Sequence, residues 1–145
     1  VQSAKDMYDA VIERADSMDI IVKAAAVADY RPKNVSSEKV KKQDGNMSIE
    51  LERTDDILKT LGERKNGQFI CGFSMETENM LENSRKKLEK KNCDMIVANN
   101  LKQDGAGFGG NTNIVTLITK DDEVQLEKMT KDEVAEKIFD FILSR

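Results

Sequence analysis

Residues 19–42 read DIIVKAAAVADYRPKNVSSEKVKK. Ile20, Ile21 and Val22 followed by alanines form an apolar run without strict alternation, the pattern of a parallel strand covered on both faces. Asp19 to Ala28 is therefore expected to be a central strand. It ends in small residues, Ala25 among them, then reaches Asp29 and opens onto a polar loop carrying Lys39, Lys41 and Lys42. In open α/β sheets ligands collect beyond the carboxyl ends of strands, and small side chains there let a nucleotide approach the backbone. Phosphate is the ligand this stretch suggests; a buried strand followed by a solvated loop is the alternative.

Working outward, Met7, Val11 and Ala15 recur at i+4 and predict a helix from Ser3 to about Met18. Residues 31–45 hold the only proline, Pro32, with serines and charges, which suits an extended flap. Met47 to Leu51 alternates as a short strand. Thr54 is placed to cap a short helix with Asp55 and Asp56 in its first turn, Ile57, Leu58 and Leu61 inward, and Gly62 near its end. Phe69 to Phe73 reads as a second buried strand. A helix from about Glu78 to Lys91 is expected to bury Leu81, Ser84 and Leu88, and Met95 to Ala98 is the third strand. Alternation of strand and helix implies a parallel sheet.

After a glycine-rich loop, Asp104 to Gly110, the pattern changes: Ile114–Thr119 and Val124–Met129 flank Lys120, Asp121 and Asp122 as a hairpin. The last helix starts at Thr130 as N-cap, with Glu133 completing a capping box, Met129 placed to staple against Val134, and Ile138, Phe139, Phe141 and Ile142 on its apolar side. No repeat or linker divides the chain, so residues 1–145 are expected to form one domain. The fold class expected is α/β: Rossmann-like and three-layered, with a mainly parallel sheet, a basic flap and a C-terminal antiparallel hairpin.

Composition narrows the chemistry. Lys+Arg of 23 against Asp+Glu of 27 leaves a net charge of −4, which disfavours nucleic acid or an anionic membrane as partner and makes any phosphate site local. A histidine count of 0 excludes Ser-His-Asp and Cys-His catalysis within these residues and every metal site that needs imidazole. Cys71 and Cys93 lack the spacing of a zinc or redox motif and are read as buried reduced thiols. No apolar run reaches the ~20 residues of a membrane span and no signal peptide opens the chain, so a cytoplasmic protein is expected.

Lysine, carboxylate and backbone are left to carry function. Arg85, Lys86, Lys87, Lys90 and Lys91 crowd one segment, and Lys87 and Lys91, four apart, share a helix face near Ser84 and Leu88. They either snorkel past the sheet edge or converge on phosphate. Lys39 sits on a loop from which a long cation can close over a reacting phosphate. Asp29 can hold Mg²⁺ against phosphate oxygens, accept from a ribose, or make an Asx-turn. The N–H groups of Asp55, Asp56, Ile57 and Leu58 open a helix and can contact a ligand, although two carboxylates there argue for capping. Phe73 can pack on a base or in the core. The loop from Gly105 to Gly110 can cradle an anion, a nonspecific signal.

Five segments in one order carry a resemblance: AAAVADYRPKNVSSEKVKK (24–42), TDDIL (54–58), GFSMET (72–77), SRKKLEKKNCDMIVANN (84–100) and FGGNTN (108–113). Together they resemble bacterial phosphopantothenoylcysteine synthetase, which joins 4′-phosphopantothenate to L-cysteine using CTP. The resemblance implies that Lys87 and Lys91 line the CTP site, that Lys39 serves both CTP and catalysis, and that the 55–58 segment borders the nucleotide. It also implies an acyl-cytidylate intermediate, Mg²⁺, a homodimer, and frequent fusion to a flavin-dependent decarboxylase domain, with no flavin assigned to these residues. The family's asparagine–proline pair appears as Thr54 and Asp55, and Asn111 stands where aspartate is usual. The family's upstream strand and phosphate-binding turn have no counterpart here, so the match is expected to begin inside the synthetase domain. A CTP-binding fragment without turnover and a non-catalytic interaction subunit are the alternatives.

Overall fold

The computed structural model describes residues 1–42, 44–76, 78–100 and 110–145. Its frame is three parallel strands, β1 (Ile20–Lys23), β4 (Phe69–Glu76) and β5 (Met95–Asn100), with Ile21 opposite Ile70 and Cys71 opposite Met95. Between β1 and β4 the chain makes an antiparallel arm, β2 (Tyr30–Pro32) against β3 (Leu51–Arg53), and then helix α2 (Ile57–Arg64). Helix α1 (Ala4–Ala15) precedes β1, and α3 (Met80–Lys90) joins β4 to β5. The short β6 (Thr112–Asn113) comes next. Antiparallel β7 (Val115–Ile118) and β8 (Glu123–Gln125) then extend the sheet to the order β1-β4-β5-β7-β8. β9 (Met129–Thr130) pairs with β6 and leads into α4 (Lys131–Leu143).

Side chains alternate across the parallel strands, and each face has its own helical cover. Ile70 and Ile96 pack with Ala15, Ile57, Leu58, Leu61 and Leu88 of α1, α2 and α3. Cys71, Met95, Val97, Val115 and Leu117 pack with Val134, Ile138 and Ile142 of α4. The result is the expected three-layer α/β arrangement. Each buried side chain of this kind stabilises by ~1.5–3 kcal/mol, so the sheet and helices form one cooperative support for the strand ends.

Two glycines set how closely α2 approaches its neighbours. A Cβ on Gly72 would lie 2.7 Å from Leu58 Cδ2, and one on Gly62 only 1.8 Å from the Lys91 carbonyl oxygen. With hydrogen at both positions, α2 seats on the sheet and against the end of α3, where Asn92 Nδ2 also donates to the Gly62 carbonyl at 2.9 Å.

Several expectations need correction. Among the described residues β1 has one strand neighbour, β4, and so lies at the sheet's edge; it ends at Lys23, with Ala24 to Ala28 outside the sheet. Its apolar run does report cover on both faces, since Ile20 and Val22 pack towards α4 and Ile21 towards α1, but cover says nothing about pairing along the strand's sides. Thr54 does not cap α2: its hydroxyl donates to the Ala28 carbonyl at 2.6 Å, and Asp56 takes the cap by accepting from the Lys59 N–H at 2.9 Å. The strand expected at Met47–Leu51 begins at Leu51, and Met47 and Ile49 are exposed. Leu81 and Phe139 are also exposed, because each lies off the stripe its helix turns to the sheet. Met129 leaves the hairpin to pair with Asn113, while Thr130 and Glu133 do form the capping box. Cys93 is only half-buried, and burial pushes both thiols up, Cys71 to about 12 and Cys93 to about 11. Thr77, and the part of the glycine loop at residues 101–109, lie outside the described residues.

Candidate functional site

At the carboxyl ends of β1, β4 and β5 lies a cavity of about 680 Å³. One wall is the Ala24–Asp29 segment leaving β1, the next is Thr54 to Leu58 at the start of α2, and the floor includes Phe73 and Asn99. Lys87 and Lys91 enter from α3, and Lys131, Val134 and Ile138 of α4 close the far side. The structure thus brings together Ala25, Asp29, Asp55, Asp56, Ile57, Leu58, Phe73, Lys87 and Lys91. Lys39 is not among the lining residues; it is exposed on the arm between β2 and β3.

The two α3 lysines are held differently. Ser74 and Ser84, both buried, share a hydrogen bond of 2.6 Å that ties α3 to β4. One turn further on, the Lys87 ammonium donates to the Phe73 carbonyl at 2.8 Å. The Lys91 ammonium pairs with the Asp56 carboxylate. Burial pushes the Asp56 carboxyl up, but the Lys91 ammonium and the Lys59 N–H outweigh it and hold the group below the usual carboxylate range. Neighbouring charges point elsewhere: Arg85 pairs with Glu123 at 2.6 Å and Lys86 with Glu82 at 2.5 Å. Of the basic run, Lys87 and Lys91 are the pair that faces the cavity, as the i+4 spacing requires.

Backbone N–H groups at the start of α2 and two ammonium groups, that of Lys91 paired with Asp56, lie on one rim, and the alanine segment brings small side chains to the cavity wall. Asp29 is exposed, and its carbonyl accepts from the Thr54 N–H at 3.0 Å. Among the described residues no group of three or more acidic, cysteine or histidine side chains is arranged to hold a metal ion. A single carboxylate here suits Mg²⁺ only in the mode where phosphate oxygens and water complete the octahedron.

The family model described as the C-terminal domain of the DNA/pantothenate metabolism flavoprotein, DFP, matches residues 1–145. The chain belongs to the DFP family. The Coenzyme A biosynthesis bifunctional protein CoaBC of Bacillus subtilis (strain 168) is 56% identical over 121 residues, covering 83% of this chain and 30% of that protein. A crystal structure of the C-terminal domain of a CoaBC protein superposes with a TM-score of 0.79 at 46% identity, covering 98% of this chain and 62% of that one. A Cab2 mutant in complex with phosphopantothenate-cysteine shares the fold, with a TM-score of 0.68 at 18% identity over 88% of this chain and 45% of that one. The chain spans about a third of the length of its CoaBC relative.

In this DFP chain the cavity also contains residues that sequence reasoning passed over. Asn99, 6% exposed on β5, has an Oδ1 without a hydrogen-bond partner among the described residues. Its signal was available, since polar residues at the carboxyl end of a buried strand sit where ligands collect. Lys23 is another, a lone charge inside the run IIVKAAA. Asn113 and Lys131 reach the cavity from segments far along the chain and had no local signal. Among the described residues, no helix is long and apolar enough to cross a membrane.

Proposed function

We propose that this chain forms the CTP-binding part of a phosphopantothenate–cysteine ligase acting in coenzyme A biosynthesis. The observation that carries the reading is the convergence of Ala25, Asp29, the start of α2, Phe73, Lys87 and Lys91 on one cavity at the carboxyl ends of parallel strands. The names of the CoaBC relatives and the ligand of the Cab2 complex agree with that reading.

In this reading the triphosphate lies against Lys87 and Lys91, the base beside Phe73, and the ribose and sugar-phosphate backbone along Ala25 and the 55–58 segment. Asp29 is the residue that would hold Mg²⁺, which would supply neutralisation of phosphate charge. The carboxylate of 4′-phosphopantothenate attacks the α-phosphorus, pyrophosphate leaves, and an acyl-cytidylate forms. The amine of L-cysteine then attacks the acyl carbon, CMP departs with the C–O electron pair, and the amine's proton passes to solvent. Positioning and charge neutralisation do this work, which needs no histidine.

Lys39 is assigned the catalytic cation, brought over the phosphates by movement of the arm. The arm also exposes Tyr30, Val35, Val40, Met47, Ile49 and Leu51, an apolar set suited to a second copy of the chain, so a homodimer is assigned. The setting proposed is cytoplasmic, with a decarboxylase domain in the same polypeptide, and no flavin on these residues. The test is calorimetry and thermal melting with CTP and Mg²⁺. Binding heat and a rise in Tm are expected, because a ligand bound only by the native state stabilises it. No heat and no shift at millimolar CTP would overturn the assignment.

A further inference from the structure

Lys23 is the last residue of β1, opposite Gly72, at the mouth of the cavity. A neutral residue would continue the apolar run there at no electrostatic cost. Instead a half-buried ammonium turns back and donates to the Ala25 carbonyl at 3.2 Å. Among the described residues Lys23 has no ion pair, and neither does Lys87, whose ammonium rests on the Phe73 carbonyl. Lys91 alone of these three is matched, by Asp56. The β1 and α3 sides of the cavity therefore hold two ammonium groups answered only by backbone carbonyls.

We propose that the Lys23 ammonium is a polyphosphate ligand of this cavity, acting with Lys87 across the gap between β1 and α3. The proposal rests on the phosphate-binding part of the proposed function and extends it to a residue on β1, away from the two α3 lysines. An anion bridging Lys23 and Lys87 relieves their mutual repulsion and replaces weak carbonyl acceptors with charged ones, which form the stronger hydrogen bonds. The local electrostatics agree. Burial and then the Lys87 charge push the Lys23 pKa below the usual lysine value, with Lys91 adding to the effect. Asp56 and Asp29 oppose it, and Lys131 is the further cation lining the same cavity.

A ligand lysine of this kind is a burden on the empty protein. Because its folded pKa is depressed, the unfolded chain binds more protons in the alkaline window between the two values. Lys23 therefore costs stability at neutral pH, and that cost fades as pH rises through the window. Lys23→Met should melt higher than wild type when empty, yet bind polyphosphate more weakly.

The experiment compares the whole protein with its Lys23→Met and Lys23→Arg variants by calorimetric titration with CTP and, separately, with inorganic tripolyphosphate, alongside melting of the empty proteins. Expected are a ~10–100-fold loss for Lys23→Met with both ligands, the size of one charge-assisted hydrogen bond, a raised Tm, and affinity within a few-fold of wild type for Lys23→Arg. Unchanged tripolyphosphate binding in Lys23→Met overturns the proposal, as does a lowered Tm of the empty variant, which would make the lysine structural. If wild type takes tripolyphosphate but not CTP and Lys23→Met loses it, the nucleotide reading fails and Lys23 stands. If wild type takes neither, both fall.

Discussion

The cavity rim and the β2–β3 arm both carry lysines assigned to phosphate, and the fold treats them in opposite ways. On the rim, Lys87 and Lys91 project from a helix fixed to β4 by a buried Ser74–Ser84 contact, and the Lys91 side chain is only 14% exposed. On the arm, Arg31–Glu52 and Lys33–Glu50 pair at 2.8 and 2.7 Å with both partners in solvent, and Lys39 is exposed beyond them. Exposed pairs of that kind contribute ~0–1 kcal/mol each, and the arm's large apolar side chains lie in water. The rim is held by buried contacts, whereas the arm's contacts lie in solvent. Binding and turnover should accordingly separate between the two regions.

The largest effect expected is on turnover. In the full-length protein, Lys39→Gln should leave the circular dichroism spectrum nearly unchanged while lowering the rate by ~10²–10³, the usual cost of one electrostatic donor in the transition state. Pyrophosphate and CMP release, followed in parallel, check it. Wild-type rates in both would erase the arm's half of the contrast.

Next comes the rim's dependence on α2. Gly62→Ala forces a methyl group into the Lys91 carbonyl, and overpacking of this sort costs about 1–3 kcal/mol. Urea unfolding should show that loss together with weaker CTP binding, because the displaced segment carries Lys91. Lost stability with intact CTP affinity would show that Lys91 does not depend on this packing.

Replacing the paired lysines is expected to be milder for the fold and selective for ligand. Lys87→Ala and Lys91→Ala should each weaken CTP by ~10-fold or more and leave CMP nearly unchanged, since the lost contacts are to the outer phosphates. Equal losses for the two nucleotides would move the lysines away from the triphosphate.

The smallest effect concerns pH. Asp56 has a folded pKa below its unfolded one, so its contribution to stability is complete above the ordinary carboxylate value of ~3.9 and disappears as pH falls through the folded value. Asp56→Asn should flatten the acid limb of a Tm-against-pH curve measured by thermal melting.

The sequence carried the element types because their causes are local. The Thr130–Glu133 capping box, the i+4 face of Lys87 and Lys91, and the hairpin around residues 120–122 are each contained within a few residues. It carried the parallel frame through apolar runs and their spacing, and a family resemblance that pointed to Lys87, Lys91 and the 55–58 segment, all of which line the cavity. What it did not carry depends on partners distant in the chain. Asp56 rather than Thr54 caps α2 because Ala28, 26 residues earlier than Thr54, claims the threonine hydroxyl. Among the described residues β1 is an edge strand because pairing is decided by which strands dock on either side, whereas its composition records only the layers above and below. Lys23 and Asn99 belong to the cavity because folding sets the ends of β1 and β5 beside α3 and α4, while Lys39 remains outside because the arm holds it exposed to solvent. Local hydrogen bonds and periodicity thus fixed which elements form, and the long-range packing of two apolar clusters fixed which charges face one another.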